Sequence, residues 1–509
     1  MSSDETGVVV PPDSAGRPSS SALGRTVVAD ALRGVDPVAA AAAEGETNWR
    51  SGYLSHFRRL VQAGLPSREA SIAVASDGLH SIHRQLLYRR ADGAEAALDA
   101  GPLDAMSLDG TAPPLSTVEI KGTGTAETSL SLPVGGTRLS GDALARQLDD
   151  WIAAGVLEPS AADRVRLVMA NPEWLRLDGH TVVVLGAGAE MGPLSSLLRW
   201  GARVAALDLP LPQVWERVLA TAREQAGTLL VPVGPDSTGR DHDGDAGGDL
   251  DADSHTAAHA GLDLMSDIAA AAEWIRGRDG RLVLGNYVYA DGVRNLRLCA
   301  AVDALSVHLQ REQPDLALAF LATPTDVFAV PPEAVAHALK AHQDRSLPAK
   351  LLAAPVRTLS AGRLMRRPYP PDEHPGIHDA LVRQQGPNYA LAKRLQRWRA
   401  TVARASGSTV SMNVAPPSRT RSVLKNRVLA AAYATAHRFG VTVFEPETAN
   451  TLMAALLVAD LHTDGGPRHD EPWQDESYSA VHGGMWRCPY EPRSVLGLAA
   501  VMGYRAAGR

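Results

Sequence analysis

The sequence is poor in lysine, in cysteine and in aromatic residues. Of its 50 Lys and Arg residues only five are lysines: Lys121, Lys340, Lys350, Lys393 and Lys425. The two cysteines, Cys299 and Cys488, cannot build a disulfide framework, which excludes stapled secreted folds and points to a reducing, cytoplasmic setting. Aromatics make up 5% of the 509 residues, so aliphatic side chains must fill the core. No apolar run reaches the roughly 18 residues of a membrane span. The start, Met1-Ser2-Ser3-Asp4-Glu5, lacks the basic and apolar segments of a secretory signal. A surplus of positive charge is also missing. The formal net charge of −7 excludes the basic face of a general nucleic-acid binder. Most of that acidity is local, with seven Asp against one Arg between Asp236 and Asp253. The expectation is a soluble cytoplasmic protein whose partner is a small molecule, with no nucleic acid and no membrane.

What is present divides the chain into regions, and the length allows two or three domains. Residues 1–26 are rich in Ser, Gly, Pro and Asp and read as a disordered tail. Residues 27–175 read as a mainly helical N-terminal domain. Trp49, Tyr53, Phe57, Leu60 and Val61 recur at helical spacing, as does a stretch from Ile72 to Tyr88. Within it, 115–135 alternates and ends in turn residues, which suggests a short hairpin, and a helix is expected over about 140–170. From residue 176 the pattern changes. Thr181–Leu185 is a fully apolar strand of the kind buried on both faces, and strands then alternate with helices at short spacing. The fold class expected is α/β, a doubly wound Rossmann-type parallel sheet. Insertions are expected at 234–260, acidic and Gly-rich, and at 322–385, long and irregular.

Gly186-Ala187-Gly188-Ala189-Glu190-Met191-Gly192 lies directly between a buried strand and a helix. Glycines there permit a tight turn and close backbone approach, and the unpaired N–H groups of the loop suit a pyrophosphate. Asp208 ends the next strand, where an acid accepts hydrogen bonds from a ribose. Two cofactor classes share this layout, nicotinamide dinucleotides and S-adenosylmethionine. Asp208 disfavours the extra phosphate of NADP unless Arg203 or a loop arginine compensates.

Tyr389-Ala-Leu-Ala-Lys393 sets a phenol and an ammonium one helical turn apart on the same face. Ten tyrosines and five lysines would give about 0.1 such pairs by chance in this length. A nearby cation lowers a tyrosine pKa and fits it to exchange a proton with a carbonyl oxygen.

With that pair the chain resembles the short-chain dehydrogenase/reductase family over about 180–462. Ala187–Leu194 is similar to the family's glycine loop, with Ala187 in place of Thr and Leu194 in place of the last Gly. Leu284-Gly285-Asn286-Tyr-Val resembles its Asn-rich strand end, and Tyr389 and Lys393 match its catalytic pair. Ser411–Thr420, with Pro416, resembles the strand and turn that hold the nicotinamide. The position of the family's catalytic serine is Gly376, and Thr323 or Thr325 stands as the substitute. Position 386, where the enoyl-reductase branch has its Tyr, is Gly. The resemblance implies NAD or NADP, and hydride transfer on a carbonyl, an alcohol or an activated alkene of a small secondary-metabolite or acyl substrate. Tyr389 would move the proton, Lys393 would hold the ribose, and Thr323 or Asn286 would position the oxygen. The remaining cofactor contacts would come from Gly186, Ala187, Gly188, Glu190, Met191, Gly192, Asp208 and Pro416. The alternatives are a methyltransferase using S-adenosylmethionine, or a lyase, cyclase or nucleotide-sensing protein on the same fold.

Other constellations are weaker. Asp241, Asp243 and Asp245 lack the glycine and glutamate of a calcium loop, and His462, Asp464, His469 and Asp470 lie in a polar loop, so no metal is expected. The segment Val481–Tyr490 suits a pocket cover or a docked tail. His80, His83 and Arg84 read as a solvated helix face, although a carrier-protein contact fits there, and homo-oligomerisation is compatible with the sequence.

Overall fold

The computed structural model describes residues 6–13, 16–99, 115–234, 249–370 and 373–507. Its first strands, β1 (Gly7–Val9), β2 (Leu87–Arg89) and β3 (Glu95–Ala97), form a small antiparallel sheet. β4 (Ser116–Lys121) is followed by the hairpin β5 (Ser131–Val134) and β6 (Thr137–Ser140). Then come β7 (His180–Leu185), β8 (Arg203–Leu207), β9 (Thr228–Val233), β10 (Arg281–Asn286) and β11 (Ala317–Ala322). β12 (Val327–Val330) and β13 (Gly376–Asp379) pair with each other, and β14 (Val410–Val414) is last.

The central sheet has seven strands in the order β14-β11-β10-β7-β8-β9-β4. All its pairings are parallel except that of β4 with β9. From β7 the chain winds outward through β8 and β9, then returns to β10 and winds the other way through β11 to β14. The winding therefore reverses between the carboxyl ends of β7 and β10, where such sheets leave a crevice. Val182 to Leu185 are fully buried because both faces are covered. Val182 and Val184 pack with Leu197, Trp215 and Leu452, while Val183 and Leu185 pack with Leu296 and Leu395. Each such side chain contributes about 1.5–3 kcal/mol on burial.

Four expectations are corrected. The tail is ordered from residue 6 wherever it is described. Val8 accepts from Arg297 and donates to the Met265 carbonyl at 3.0 Å, and a helix starts at Ser20, capped by Ser19. Ser116–Lys121 forms no hairpin of its own but pairs antiparallel with β9 and is the edge strand on that side. The region 322–385 is not irregular. It holds β12, β13 and helices Pro332–Gln343 and Leu347–Leu359. The helix expected over 140–170 is two, broken at Gly155 (φ +66°). Asn426 separates the short helix Arg421–Lys425 from Arg427–Thr435, which its side chain caps. Of the acidic stretch, 235–248, with Asp241, Asp243 and Asp245, lies outside the described residues.

The N-terminal helices are not a separate body. Ser20–Arg33 and Arg68–Gln85 pack on helices Gly292–Glu312 and Pro387–Ala405 within one hydrophobic cluster. The fit is close: a Cβ on Gly78 would lie 2.3 Å from the Trp398 ring. His83 is no solvated residue, since its Nε2 lies 2.8 Å from the buried Asp303 carboxylate.

β13 carries a buried histidine with a stability consequence. Burial, with His482 and Arg493 nearby, pushes the His378 imidazole down to about 3. In the unfolded chain it titrates near 6.5, so between these values only the unfolded state takes up the proton. Stability is complete above pH 6.5 and is lost as pH falls toward 3. His378→Leu should therefore reduce the loss between pH 7 and pH 5, measured by urea unfolding, by roughly 2 kcal/mol. An unchanged pH dependence would show that His378 is protonated in the fold.

Candidate functional site

A cavity of about 860 Å³ opens along the carboxyl edge of the sheet, crossing the point where the winding reverses. It is lined by Gly186, Gly188, Glu190 and Met191 after β7, Asp208 after β8, Asn286 at the end of β10, Thr323 after β11, and Pro416 after β14. Tyr389 and Lys393 reach it from helix Pro387–Ala405. Ten of the twelve residues singled out from sequence thus meet in one place. Ala187 and Gly192 do not line it. Ala187 is buried against the helices on the far face, and Gly192 sits under the loop with its N–H bonded to the Ala189 carbonyl.

The glycine loop is shaped by its surroundings. Gly186 has φ +85° and a Cβ there would lie 3.0 Å from the Tyr287 carbonyl oxygen, while a Cβ on Gly188 would lie 2.9 Å from Val214. The Asp208 carboxylate fastens the turn, accepting from Gly188 N–H at 2.7 Å and Leu209 N–H at 2.8 Å. Each of its oxygens keeps a lone pair for a ligand. The N–H groups of Glu190 and Met191 make no hydrogen bond to another described residue. The Glu190 carboxylate is turned to Arg421, accepting from its backbone N–H (2.7 Å) and its Nε (2.8 Å), which neutralises the negative charge beside these donors.

The helix that presents Tyr389 and Lys393 is fixed by buried ion pairs. Arg394 and Arg397 donate to the two oxygens of Asp326 at 2.8 and 2.7 Å, and Arg397 also donates one hydrogen bond to each carboxylate oxygen of Glu476. Arg399 holds Asp303 through two bonds of 2.7 Å. Asp326 closely follows Thr323, so one carboxylate ties the end of β11 to the helix. Lys393 Nζ donates to Gln396 Oε1 (2.9 Å) and to the Leu321 carbonyl (3.4 Å). Gln396 in turn donates to Asn286 Oδ1 at 3.1 Å. Gln396 lies one turn from Lys393, a spacing legible in the sequence but unremarked.

The electrostatics differ from expectation. Tyr389 is enclosed by protein yet faces the cavity, and burial pushes its phenol up to about 12, with a hydrogen bond from Thr323 offsetting part of the rise. Lys393 does not lower it: its ammonium is engaged with Leu321 and Gln396, and burial lowers the lysine's own pKa. Tyrosine is thus held neutral. Thr323 stands beside Tyr389 and shares a 2.9 Å hydrogen bond with Thr325. Gly376, by contrast, is buried in β13, where a Cβ would lie 2.4 Å from Val335, and it does not line the cavity.

Three further tyrosines were not singled out from the sequence, although two of them follow Asn286 in the segment that resembles the family's strand end. Tyr287 and Tyr289 follow β10, the ring of Tyr289 lying 6.3 Å from that of Tyr389, and Tyr433 reaches the cavity from helix Arg427–Thr435. Among the described residues no group of three or more His, Cys, Asp and Glu could hold a metal ion. His462 instead stacks on Trp174, and His469 bonds Asp475. Met485, from the glycine-rich C-terminal segment, lines the cavity, while His482 bonds Glu158 beneath it. Among the described residues no helix is long and apolar enough to cross a membrane. Comparison of the sequence with protein-family models and with curated proteins returned no match.

Proposed function

We propose that this chain is an NAD-dependent oxidoreductase of the short-chain dehydrogenase/reductase type, reducing a carbonyl or oxidising the corresponding alcohol. The observation that carries the reading is convergence. Six separate segments, each singled out by its own motif, line one cavity at the reversal point of the sheet. The strand order read outward from β7, with β4 added at one edge, supports a Rossmann-type reading of the sheet.

The residues present fit a dinucleotide. The free N–H groups of Glu190 and Met191 would meet its diphosphate, and Asp208 would accept from the adenosine ribose. Arg203 is at the amino end of β8, roughly 16 Å from Asp208 along the strand, and pairs with Glu119. Arg294 is paired with Asp263. Neither compensates Asp208, so the cofactor is NAD rather than NADP. Bound nicotinamide supplies a hydride to the substrate carbon, or accepts one from it.

Tyr389 holds a proton at Oη at neutral pH, because burial keeps the phenol un-ionised, and gives it to the substrate oxygen in the reducing direction. The O–H bond to substrate forms as the C=O π bond opens, and the phenolate left behind recovers a proton through the cavity mouth. Thr323 orients this phenol, in the place that the family gives to serine. Lys393, held by Leu321 and Gln396, presents its remaining N–H to the ribose of the nicotinamide. Thermal unfolding with NADH, NADPH and S-adenosylmethionine tests the reading, since a ligand of the folded state raises the midpoint by mass action. NADH is expected to raise it most.

A further inference from the structure

The cavity is also lined by residues that belong to none of the segments assigned to the dinucleotide. This wall comes from the segments after β14 and near the C-terminus. Leu429, Phe439, Val441, Met485, Val495 and Leu496 line it. The cation of this wall, Arg493, is already paired with Asp379. Arg421, nearer the glycine loop, is paired with Glu190. An anionic substrate would thus find its counter-ions taken, and a polyhydroxylated one would find few partners.

The lobe does contain a polar group without a protein partner. Tyr433 makes no hydrogen bond to another described residue, and burial beside Tyr389 keeps its phenol protonated. Two neutral phenols therefore face the same space, one on helix Pro387–Ala405 and one on Arg427–Thr435.

We propose that this lobe binds a neutral, mostly hydrocarbon substrate whose single carbonyl or hydroxyl oxygen is held between Tyr389 and Tyr433. The substrate class rests on the oxidoreductase reading, whereas the apolar lobe stands on its own lining. Tyr433 is a specificity residue here: its O–H donates to the substrate oxygen, while the proton is moved by Tyr389.

The test is displacement of a neutral apolar dye, Nile red, from the full-length chain, with NADH binding measured in the same samples. A medium-chain methyl ketone should displace the dye about tenfold more strongly than the carboxylate of equal length. Leu429→Arg and Leu496→Arg, both at partly exposed positions, should weaken dye and ketone binding about tenfold with NADH binding unchanged. Tyr433→Phe should weaken ketone binding several-fold and leave the parent alkane unaffected, a split that a general loss of packing would not give. Equal displacement by ketone and carboxylate, dye binding insensitive to both arginine variants, or a ketone affinity indifferent to Tyr433→Phe would each overturn the proposal. If NADH binds and the ketone does not, the lobe assignment fails alone. If the ketone binds and NADH does not, the dinucleotide reading fails and the apolar lobe remains.

Discussion

Tyr389→Phe is expected to lower turnover of a reducible ketone by at least about 100-fold while NADH binding stays within twofold. The phenyl ring keeps the shape of the cavity wall and its edge contact with Tyr289, and only the Oη–H is lost. Proton transfer by a positioned side chain is worth about 10²–10⁴-fold, so the loss belongs in kcat rather than KM. The pH profile of the wild type sharpens this. With the phenol at about 12, reduction should not fall between pH 6 and pH 10 through loss of the Tyr389 proton. A decline with a midpoint near 7 or 8 would mean that the phenol is acidified, contrary to the engagement of Lys393 with Leu321 and Gln396. Turnover unchanged in Tyr389→Phe would remove Tyr389 from the chemistry.

Asp326→Ala is expected to cost about 3–5 kcal/mol of stability, the range for removing one partner from a buried ion pair. Asp326, Arg394 and Arg397 are 1%, 4% and 2% exposed, so the change leaves two guanidiniums in the interior. Arg397 keeps Glu476, but Arg394 loses its carboxylate altogether. Asp326→Asn should cost less, since an amide still accepts one hydrogen bond. Glu44→Ala, which breaks the exposed pair with Arg33, serves as the comparison and should cost no more than about 1 kcal/mol. Urea unfolding of the three variants measures this ordering. A loss for Asp326→Ala no larger than for Glu44→Ala would mean that Arg394 reaches water and that the helix carrying Tyr389 is not held as described.

Most strands of the central sheet were legible because they are apolar runs bounded by turn residues, and burial on both faces is what produces such runs. The glycine loop and the Tyr389–Lys393 pair were legible because their spacing is local. What escaped depends on distant partners. Nothing near Arg394 or Arg397 in sequence announces Asp326, which is about 70 positions away. The reading of Lys393 as the group that acidifies Tyr389 failed for a related reason. Helical spacing puts two side chains on one face, but the atoms that satisfy the ammonium, the Leu321 carbonyl and Gln396 Oε1, decide where its charge points. Ser116–Lys121 was read as part of a hairpin because alternation identifies a strand without identifying its neighbour. β12 was missed although Val327–Val330 is wholly apolar and buried, because four residues fall short of a periodic signal.

The most direct measurement is the unfolding midpoint of the wild-type chain with and without ligand. A ligand at 100 times its Kd stabilises the folded state by about 2.7 kcal/mol. NADH should therefore raise the midpoint by several degrees, NADPH by less because Asp208 meets its extra phosphate without a free cation, and S-adenosylmethionine by nothing. A rise with S-adenosylmethionine alone, or none with NADH at millimolar concentration, would contradict the assignment of this cavity to a nicotinamide dinucleotide.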